Sequence, residues 1–380
     1  MYVSYLSGVF DFTGTQMVLT MKLTSFGFNL YDGTFDKSKV FASYDDKKKQ
    51  RIYSDRRRFA IESLPNPLQF FGYIYCFTCI LAGPAFEYKD YLESIDGTVF
   101  KVKDKDGKLV KSKNIPSSIL PAIQRLFVGV FFMALHLYLS ALYPISNIYN
   151  AEFIAKYSVF YRFPYTWISM FADRIKYYFA WKVAEGASIM GGFGFQGYDP
   201  KTGNAIGWKA VENVDIFNFE TAYNVQVLSR NWNKRTQGWL ERYTYHRTSG
   251  SLVATYFISA LWHGLYPGFF LFFMSVPLLT QIERLVKAKV NPFIIPGYDG
   301  YNDSTAPPGV VTNLYWNVCR VVTSCSAIYV VQVKDTSCRG NETVLVRFYV
   351  LAINADPDTN GPTRVPYAHF ITIVFMFRLY

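Results

Sequence analysis

The run LFVGVFFMALHLYLSALYP, Leu126 to Pro144, decides the fold class. It lies in a stretch from Arg125 to Glu152 with no Asp, Glu, Lys or Arg between those two residues. A helix of roughly 20 apolar residues is what crosses a bilayer. Two more such gaps exist, from Glu62 to Glu87 upstream and from Arg247 to Glu283 downstream. One gap would fit a buried helix of a large soluble enzyme. Three, with Trp and Tyr near their ends, predict an integral membrane protein.

The expected architecture is therefore all-α, a polytopic transmembrane helical bundle. Residues 1–33 read as a span or a re-entrant element whose polar positions face protein rather than lipid. Residues 34–62 read as a charged loop, 66–86 as a span, and 88–117 as a solvated loop. Residues 118–148 hold one long span. Residues 152–195 read as a span and an irregular return, broken at Pro164 and at Gly186, Gly191, Gly192 and Gly194. Residues 196–250 are amphipathic and polar, and 251–286 form a span broken at Gly264 and Pro267-Gly268. Val310 to Val333 reads as a further span interrupted by Arg320, followed by a polar segment, 334–363, and an apolar end after Val365.

The net charge of +11 is concentrated in blocks. One holds Lys47-Lys48-Lys49, Arg51 and Arg56-Arg57-Arg58; another holds Lys101, Lys103, Lys105, Lys108, Lys111 and Lys113. Beside membrane spans such blocks mark cytoplasmic loops and can attract anionic headgroups or substrates. Nucleic-acid binding would require a soluble basic domain, and none is visible. Cys76-Phe-Thr-Cys79 lies in an apolar run without a second pair, so both cysteines read as core residues rather than a metal or redox site. Met1-Tyr2-Val3-Ser4 carries no basic region or cleavage signature, so no signal peptide is expected.

Two motifs carry chemistry. In Ser259-Ala-Leu-Trp262-His263-Gly-Leu-Tyr-Pro-Gly268, His263 is the only titratable side chain of histidine, lysine, arginine or carboxylate type in its span. An ionisable group at membrane depth is costly and marks a functional site. A neutral, buried imidazole suits base chemistry. In Asn231-Trp232-Asn233-Lys-Arg-Thr236-Gln-Gly-Trp239-Leu240, helical spacing places Trp232, Thr236, Trp239 and Tyr243 on one face. Arg230, Lys234, Arg235 and Arg242 would then lie toward water, and Asn233 beside the aromatic face supplies an uncharged amide donor.

Together, Trp232-Asn233-x-x-Thr236-x-x-Trp239-Leu240 and, about thirty residues on, Trp262-His263-Gly264-x-x-Pro267-Gly268 resemble the paired signature of membrane-bound O-acyltransferases. The likeness is greatest to the fungal lysophospholipid acyltransferases of broad specificity. Asp11-Phe-Thr-Gly14-x-Gln16-Met17, Met21-Lys22-Leu23, Asp32-Gly33, Gly83-Pro84 with Glu87 and Asp90-Tyr91, Tyr178-Phe-Ala-Trp181 with Glu185-Gly186, and Asn218-x-Glu220 agree with it. The resemblance covers roughly residues 1–290. It implies a helical bundle with re-entrant and amphipathic helices around a substrate tunnel, in the endoplasmic reticulum membrane. It implies transfer of an acyl chain from acyl-CoA, a co-substrate rather than a bound cofactor, to the free sn-2 hydroxyl of a lysophospholipid in phospholipid synthesis and remodelling. His263 and Asn233 match the family's catalytic pair, and Trp232, Thr236, Trp239, Glu220, Trp262 and Glu185 are the implied substrate-binding residues. No metal ligand set is implied.

The family begins with more spans than precede Asp11 and runs further beyond the histidine helix. Residues 291–380 therefore read as a degraded part, and 334–363, which include the sequon Asn341-Glu-Thr343, have no counterpart in the family. An incomplete gene with untranslated sequence read through would produce this pattern. Sterol, diacylglycerol and protein acyltransferases of the same superfamily are the alternative enzymes, and Ser229-Arg230-Asn231 before Trp232 departs from the aromatic and acidic lead of the first two. A transporter would show paired broken helices or inverted repeats, which are not seen. Gly192-Phe-Gly194-Phe-Gln-Gly197 fits a dinucleotide fingerprint only by letter, since no strand precedes it. His136 reads as packed against Ser140 or a neighbour, and His246 as solvated.

The basic block from Lys47 to Arg58 is expected on the cytosolic side. On a background without native cysteines, a cysteine placed in it should react with a membrane-impermeant maleimide in sealed microsomes. Reaction only after permeabilisation would reverse the orientation.

Overall fold

The computed structural model describes residues 12–34, 47–103, 108–112, 114–222, 224–265, 267–294, 344–352 and 369–377. The expected span at Val310–Val333, the sequon and most of the polar segment 334–363 lie outside the described residues. What is described is mostly helical.

Helix α1 (Thr13–Gly33) buries Lys22, Ser25 and Asn29. Each finds a partner. Lys22 Nζ donates to Tyr73 O at 2.7 Å, Ser25 Oγ to Met21 O at 2.7 Å, and Asn29 Nδ2 to Glu87 Oε2 at 3.0 Å. These three positions face protein, as expected at membrane depth, whereas Gln16 is exposed. At its end Gly33 meets the Ile61 backbone so closely that no Cβ would fit beside Ile61 O.

The charged stretch 34–62 is not all loop. It contains helix α2 (Lys47–Phe59), whose last turn carries Arg56, Arg57 and Arg58. Cations there complement the helix dipole, and Arg56 pairs with Asp32 of α1. Residues 66–86 are not a span either. Helix α3 (Pro67–Ile74) is eight residues long, begun by Pro67 and a capping box between Asn66 and Gln69. The chain then turns through Cys76 and Cys79, with Ile80 N bonded to Cys76 O and Gly83 N to Cys79 O. Tyr73, Ile74, Cys76 and Cys79 enter a core with Phe26, Ile61, Phe86 and Tyr88. Part of the charge-free run is protein core. Both cysteines are buried free thiols.

Residues 88–117, expected as loop, hold helix α4 (Tyr88–Ile95) and an antiparallel hairpin of β1 (Lys101–Lys103) and β2 (Leu109–Lys111). Helix α5 (Ile119–Leu142) is the expected long span, with 6% of its apolar window buried. With Pro267–Leu285 it is one of two helices, among the described residues, long and apolar enough to cross a membrane.

After α6 (Ala151–Lys156) comes helix α7 (Val159–Met190), continuous through Pro164 and Gly186. The expected breaks there do not occur. Gly186 serves close packing: a Cβ on it would lie 3.0 Å from Ala122 O, and one on Gly129 would lie 3.3 Å from Phe179 O. The two glycines let α5 and α7 approach along an antiparallel seam, the use small residues have between membrane helices. His136 sits in this seam, its Nδ1 2.7 Å from Ala172 O and 3.2 Å from Ser140 Oγ. It is packed as expected.

Short helices follow: α8 (Ile216–Glu220), α9 (Val225–Asn231) and α10 (Lys234–Leu240), the last running into a π-turn at Glu241–Tyr245. Helices α11 (Leu252–His263) and α12 (Pro267–Ile294) pack on each other around the expected break. Strands β3 (Val344–Ala352) and β4 (His369–Phe377) pair antiparallel, Val344 opposite Phe377. The apolar end after Val365 therefore holds a strand. Its nine residues of largely β-branched and aromatic type favour that state and are too few for a helical span.

Asp32 anchors three elements. Its side chain is 3% exposed and pairs with both Arg56 and Arg247. Asp32→Asn would leave two guanidinium groups facing a neutral amide, at a cost of about 3 kcal/mol. The thermal unfolding midpoint in detergent should fall clearly below wild type, and an unchanged midpoint would show the pairs to be dispensable.

Candidate active site

The asparagine motif is not one helix. Asn233 adopts φ 46°, ψ 50°, the left-handed region, which asparagine tolerates better than most residues. Helix α9 ends at Asn231, Trp232 is extended, and α10 starts at Lys234. The corner separates Trp232 from Thr236, Trp239 and Tyr243, so the expected common face is divided. Trp232 packs against Trp181 and Phe219, with ring centroids at 4.8 and 4.9 Å, and against Tyr177 and Tyr178 at 6.0 Å. Glu220 braces this aromatic cluster. It accepts from Arg174 Nη2 at 2.8 Å and from Tyr178 Oη.

Thr236, Trp239 and Tyr243 point instead at α1. Thr236 Oγ1 lies 2.9 Å from Asn233 Oδ1 and 3.4 Å from Met21 Sδ. Trp239 Nε1 donates to Thr24 Oγ1 at 3.0 Å. Tyr243 Oη lies 2.9 Å from Asn29 Oδ1 and 2.8 Å from Glu87 Oε2. The cations expected in water are largely tied down: Arg242 pairs with Glu87 at 2.7 Å and Lys234 with Glu212 at 2.6 Å. His246, read as solvated, is half-buried, 3.7 Å from Glu241.

His263 ends α11. Gly264 takes φ 125°, and its N–H closes the helix on Ala260 O and Leu261 O. A φ of that kind suits glycine alone. The imidazole stacks on Phe273 with centroids 4.7 Å apart, meets Trp262 edge-on at 4.7 Å, and has Phe269 at 5.4 Å. Trp262 Nε1 donates to Met17 O at 3.0 Å, and its ring lies 6.0 Å from that of Trp239. The same face of α1 thus holds the helix that carries His263 and the helix that follows Asn233.

Glu185, read as substrate-binding, is fully buried on α7. Its Oε1 accepts from Asn213 N at 2.7 Å and Val214 N at 3.4 Å; its Oε2 accepts from Lys182 Nζ at 2.8 Å. Asp215 caps α8. Partial burial acts to raise its pKa, but the Asn218 N–H and amide donors outweigh it and hold the carboxyl below its usual range.

Sequence reasoning quoted Met17, Met21 and Asp32 without giving them a role. It passed over Thr24 and Asn29. The spacing 17, 21, 24, 29, 32 follows one broad helical face and is the signal that the sequence carries.

Among the described residues, an amide and an imidazole stand at the ends of two short helices that are both bound to a third. The chain belongs to the membrane-bound O-acyltransferase family, whose profile matches residues 1–330. It is 31% identical over 330 residues to the lysophospholipid acyltransferase of Schizosaccharomyces pombe, covering 84% of this chain and 60% of that protein. It is 32% identical over 290 residues to human membrane-bound glycerophospholipid O-acyltransferase 2, covering 75% of this chain and 53% of the human one. The Saccharomyces cerevisiae lysophospholipid acyltransferase is 29% identical over 299 residues, covering 75% of this chain and 47% of the yeast protein. The chain thus spans about half to three-fifths of the length of these relatives.

The corner at Asn233 has a measurable consequence. Asn233→Ala puts an ordinary residue in the left-handed region and should cost about 1 kcal/mol of stability, whereas Asn233→Gly should cost less, since glycine adopts that conformation freely. Thermal unfolding of the two variants checks this; equal midpoints would mean that the corner relaxes.

Proposed function

We propose that the chain transfers an acyl group from acyl-CoA to the free sn-2 hydroxyl of a lysophospholipid, in phospholipid synthesis and remodelling at the endoplasmic reticulum membrane. The observation that carries this reading is the shared seat of the two motifs. Trp239 and Trp262, one on each motif helix, both donate to α1, at Thr24 and at Met17. Relatives named as lysophospholipid acyltransferases support the substrate class.

His263 is the general base. It takes the proton from the lysolipid hydroxyl as the oxygen attacks the thioester carbonyl. The tetrahedral oxyanion forms at that carbonyl, and the Asn233 amide donates to it or holds the attacking hydroxyl. Collapse breaks the C–S bond, and the imidazolium returns its proton to the leaving CoA thiolate. The imidazole is packed among the rings of Trp262, Phe269 and Phe273. Thr236, which meets Asn233 Oδ1, aims the amide. Trp232, Trp239, Trp262 and Glu220 shape the surroundings in which the acyl chain and headgroup lie.

The bundle is polytopic in this reading, with a tunnel between helices. Acyl-CoA keeps its polyanionic head in water and enters from the cytosolic side, and the lysolipid enters laterally from the bilayer. Helix α3 and the turns after it form a re-entrant element: Leu68, Phe77 and Leu81 are 83%, 81% and 73% exposed while Tyr73 and Cys79 are buried.

His263→Ala should leave the protein inserted, since alanine is a good helix residue. Its transfer of labelled oleoyl-CoA to lysophospholipid in microsomes should fall roughly 10²–10⁴-fold. Asn233→Ala should lose activity heavily too, and the two losses should not add. His136→Ala should keep most activity. Near-normal turnover of His263→Ala at equal protein level would remove this mechanism.

A further inference from the structure

We propose that Glu185 is a positioning residue for Asn233, acting through the backbone of Asn213 and Val214; this rests on the reading of Asn233 as catalytic. Glu185 has no exposed side-chain surface. Two backbone N–H groups occupy Oε1, at 2.7 and 3.4 Å. Lys182 Nζ at 2.8 Å and Arg125 Nε at 3.4 Å occupy Oε2. A carboxylate offers about four acceptor positions, and four donors of the protein address this one. Contact with a substrate would require one of them to leave.

The bonds continue toward the corner. Lys182 Nζ donates a second time, to Val214 O at 2.7 Å, so α7 holds the 213–214 segment by its donors and by an acceptor. Asn213 O accepts from Lys234 N at 2.7 Å, and Asp215 N donates to Asn231 O at 3.1 Å. Those two bonds fall on either side of Trp232 and Asn233. Glu212 adds a side-chain tie, reaching Lys234 Nζ at 2.6 Å and Arg125 Nη2 at 3.5 Å. A non-glycine residue in the left-handed region persists only where its surroundings over-determine it. Here the surroundings are a backbone clamp seated on one buried carboxylate, and removing its charge loosens the corner that aims the Asn233 amide.

The test is a double-variant cycle with Glu185→Gln and Asn233→Ala in the full chain, each made singly and together. Initial rates are measured with labelled oleoyl-CoA and lysophospholipid. Glu185→Gln is expected to lower kcat roughly tenfold or more, since small misplacements of a catalytic group are costly, with KM for both substrates within about threefold of wild type. In the Asn233→Ala background it should lower kcat no further. An equal loss in both backgrounds, or a rise in KM, overturns the positioning role in favour of a general structural or a substrate-binding one. If Asn233→Ala alone keeps wild-type kcat, the reading of Asn233 fails; if it loses kcat and Glu185→Gln does not, only the present inference fails. Hydrogen exchange gives a readout independent of activity. Glu185→Gln should raise deuterium uptake in peptides covering 211–217 and 231–237 together, and unchanged uptake in the second overturns the proposal. Should Glu185→Gln not accumulate, Glu185→Asp enters the same cycle; failure of both to accumulate makes Glu185 a folding determinant and overturns it too.

Discussion

The structure depends on one ladder of polar contacts along helix α1. Trp262 bonds to Met17 O, Thr236 to Met21 Sδ, Trp239 to Thr24, Tyr243 to Asn29 and Arg247 to Asp32. The α1 partners advance by three to five residues, so they lie along one face. From Met21 to Asp32 the opposing residues rise in the same order, so α1 runs parallel to α10 and its π-turn. A polar group buried among apolar neighbours costs free energy unless it is bonded, and each rung removes that cost for the groups it joins. Sliding the helices by one residue would strand every rung together. The ladder therefore fixes register, which apolar packing alone would leave loosely specified.

The long helix and the two motifs are legible in the sequence, the ladder is not, and the misreadings have physical causes. The gap from Leu126 to Ala151 and the gap from Ser63 to Phe86 look alike by charge. Only the first is a long helix, because absence of charge reports burial and says nothing of the backbone's path. In the second, Pro67 starts a helix that has ended by Tyr75, and Tyr73 and Cys79 are covered by protein rather than lipid. Gly186 was read as a break by its helix propensity. In the structure it is where α5 passes, and the close approach outweighs the roughly 1 kcal/mol that glycine costs a helix.

The asparagine motif shows the limit of periodicity most directly. Trp232, Thr236, Trp239 and Tyr243 satisfy helical spacing, and three of the four do share a face. One left-handed residue sends Trp232 to the opposite cluster, with Trp181 and Phe219. Periodicity assumes uniform φ and ψ, and a single asparagine is enough to end that assumption. The identity of the residue at the corner was visible; its conformation depends on Asn213, twenty positions earlier, which no local pattern connects to it.

Both motif residues stand at helix ends, Asn233 before α10 and His263 at the close of α11. A helix interior would fix such side chains by the helix's own geometry but would surround them with neighbouring turns. A terminus frees space for a substrate and gives up rigidity. The ladder and the Glu185 clamp restore it from outside: α1 holds Trp239, on the helix that Asn233 opens, and Trp262, next to His263, and the 213–215 segment holds the backbone on both sides of Asn233. Room and rigidity are thus supplied by different parts of the chain. The polar residues of α1, costly in an apolar helix when considered alone, are there because the flexible ends need fixed partners.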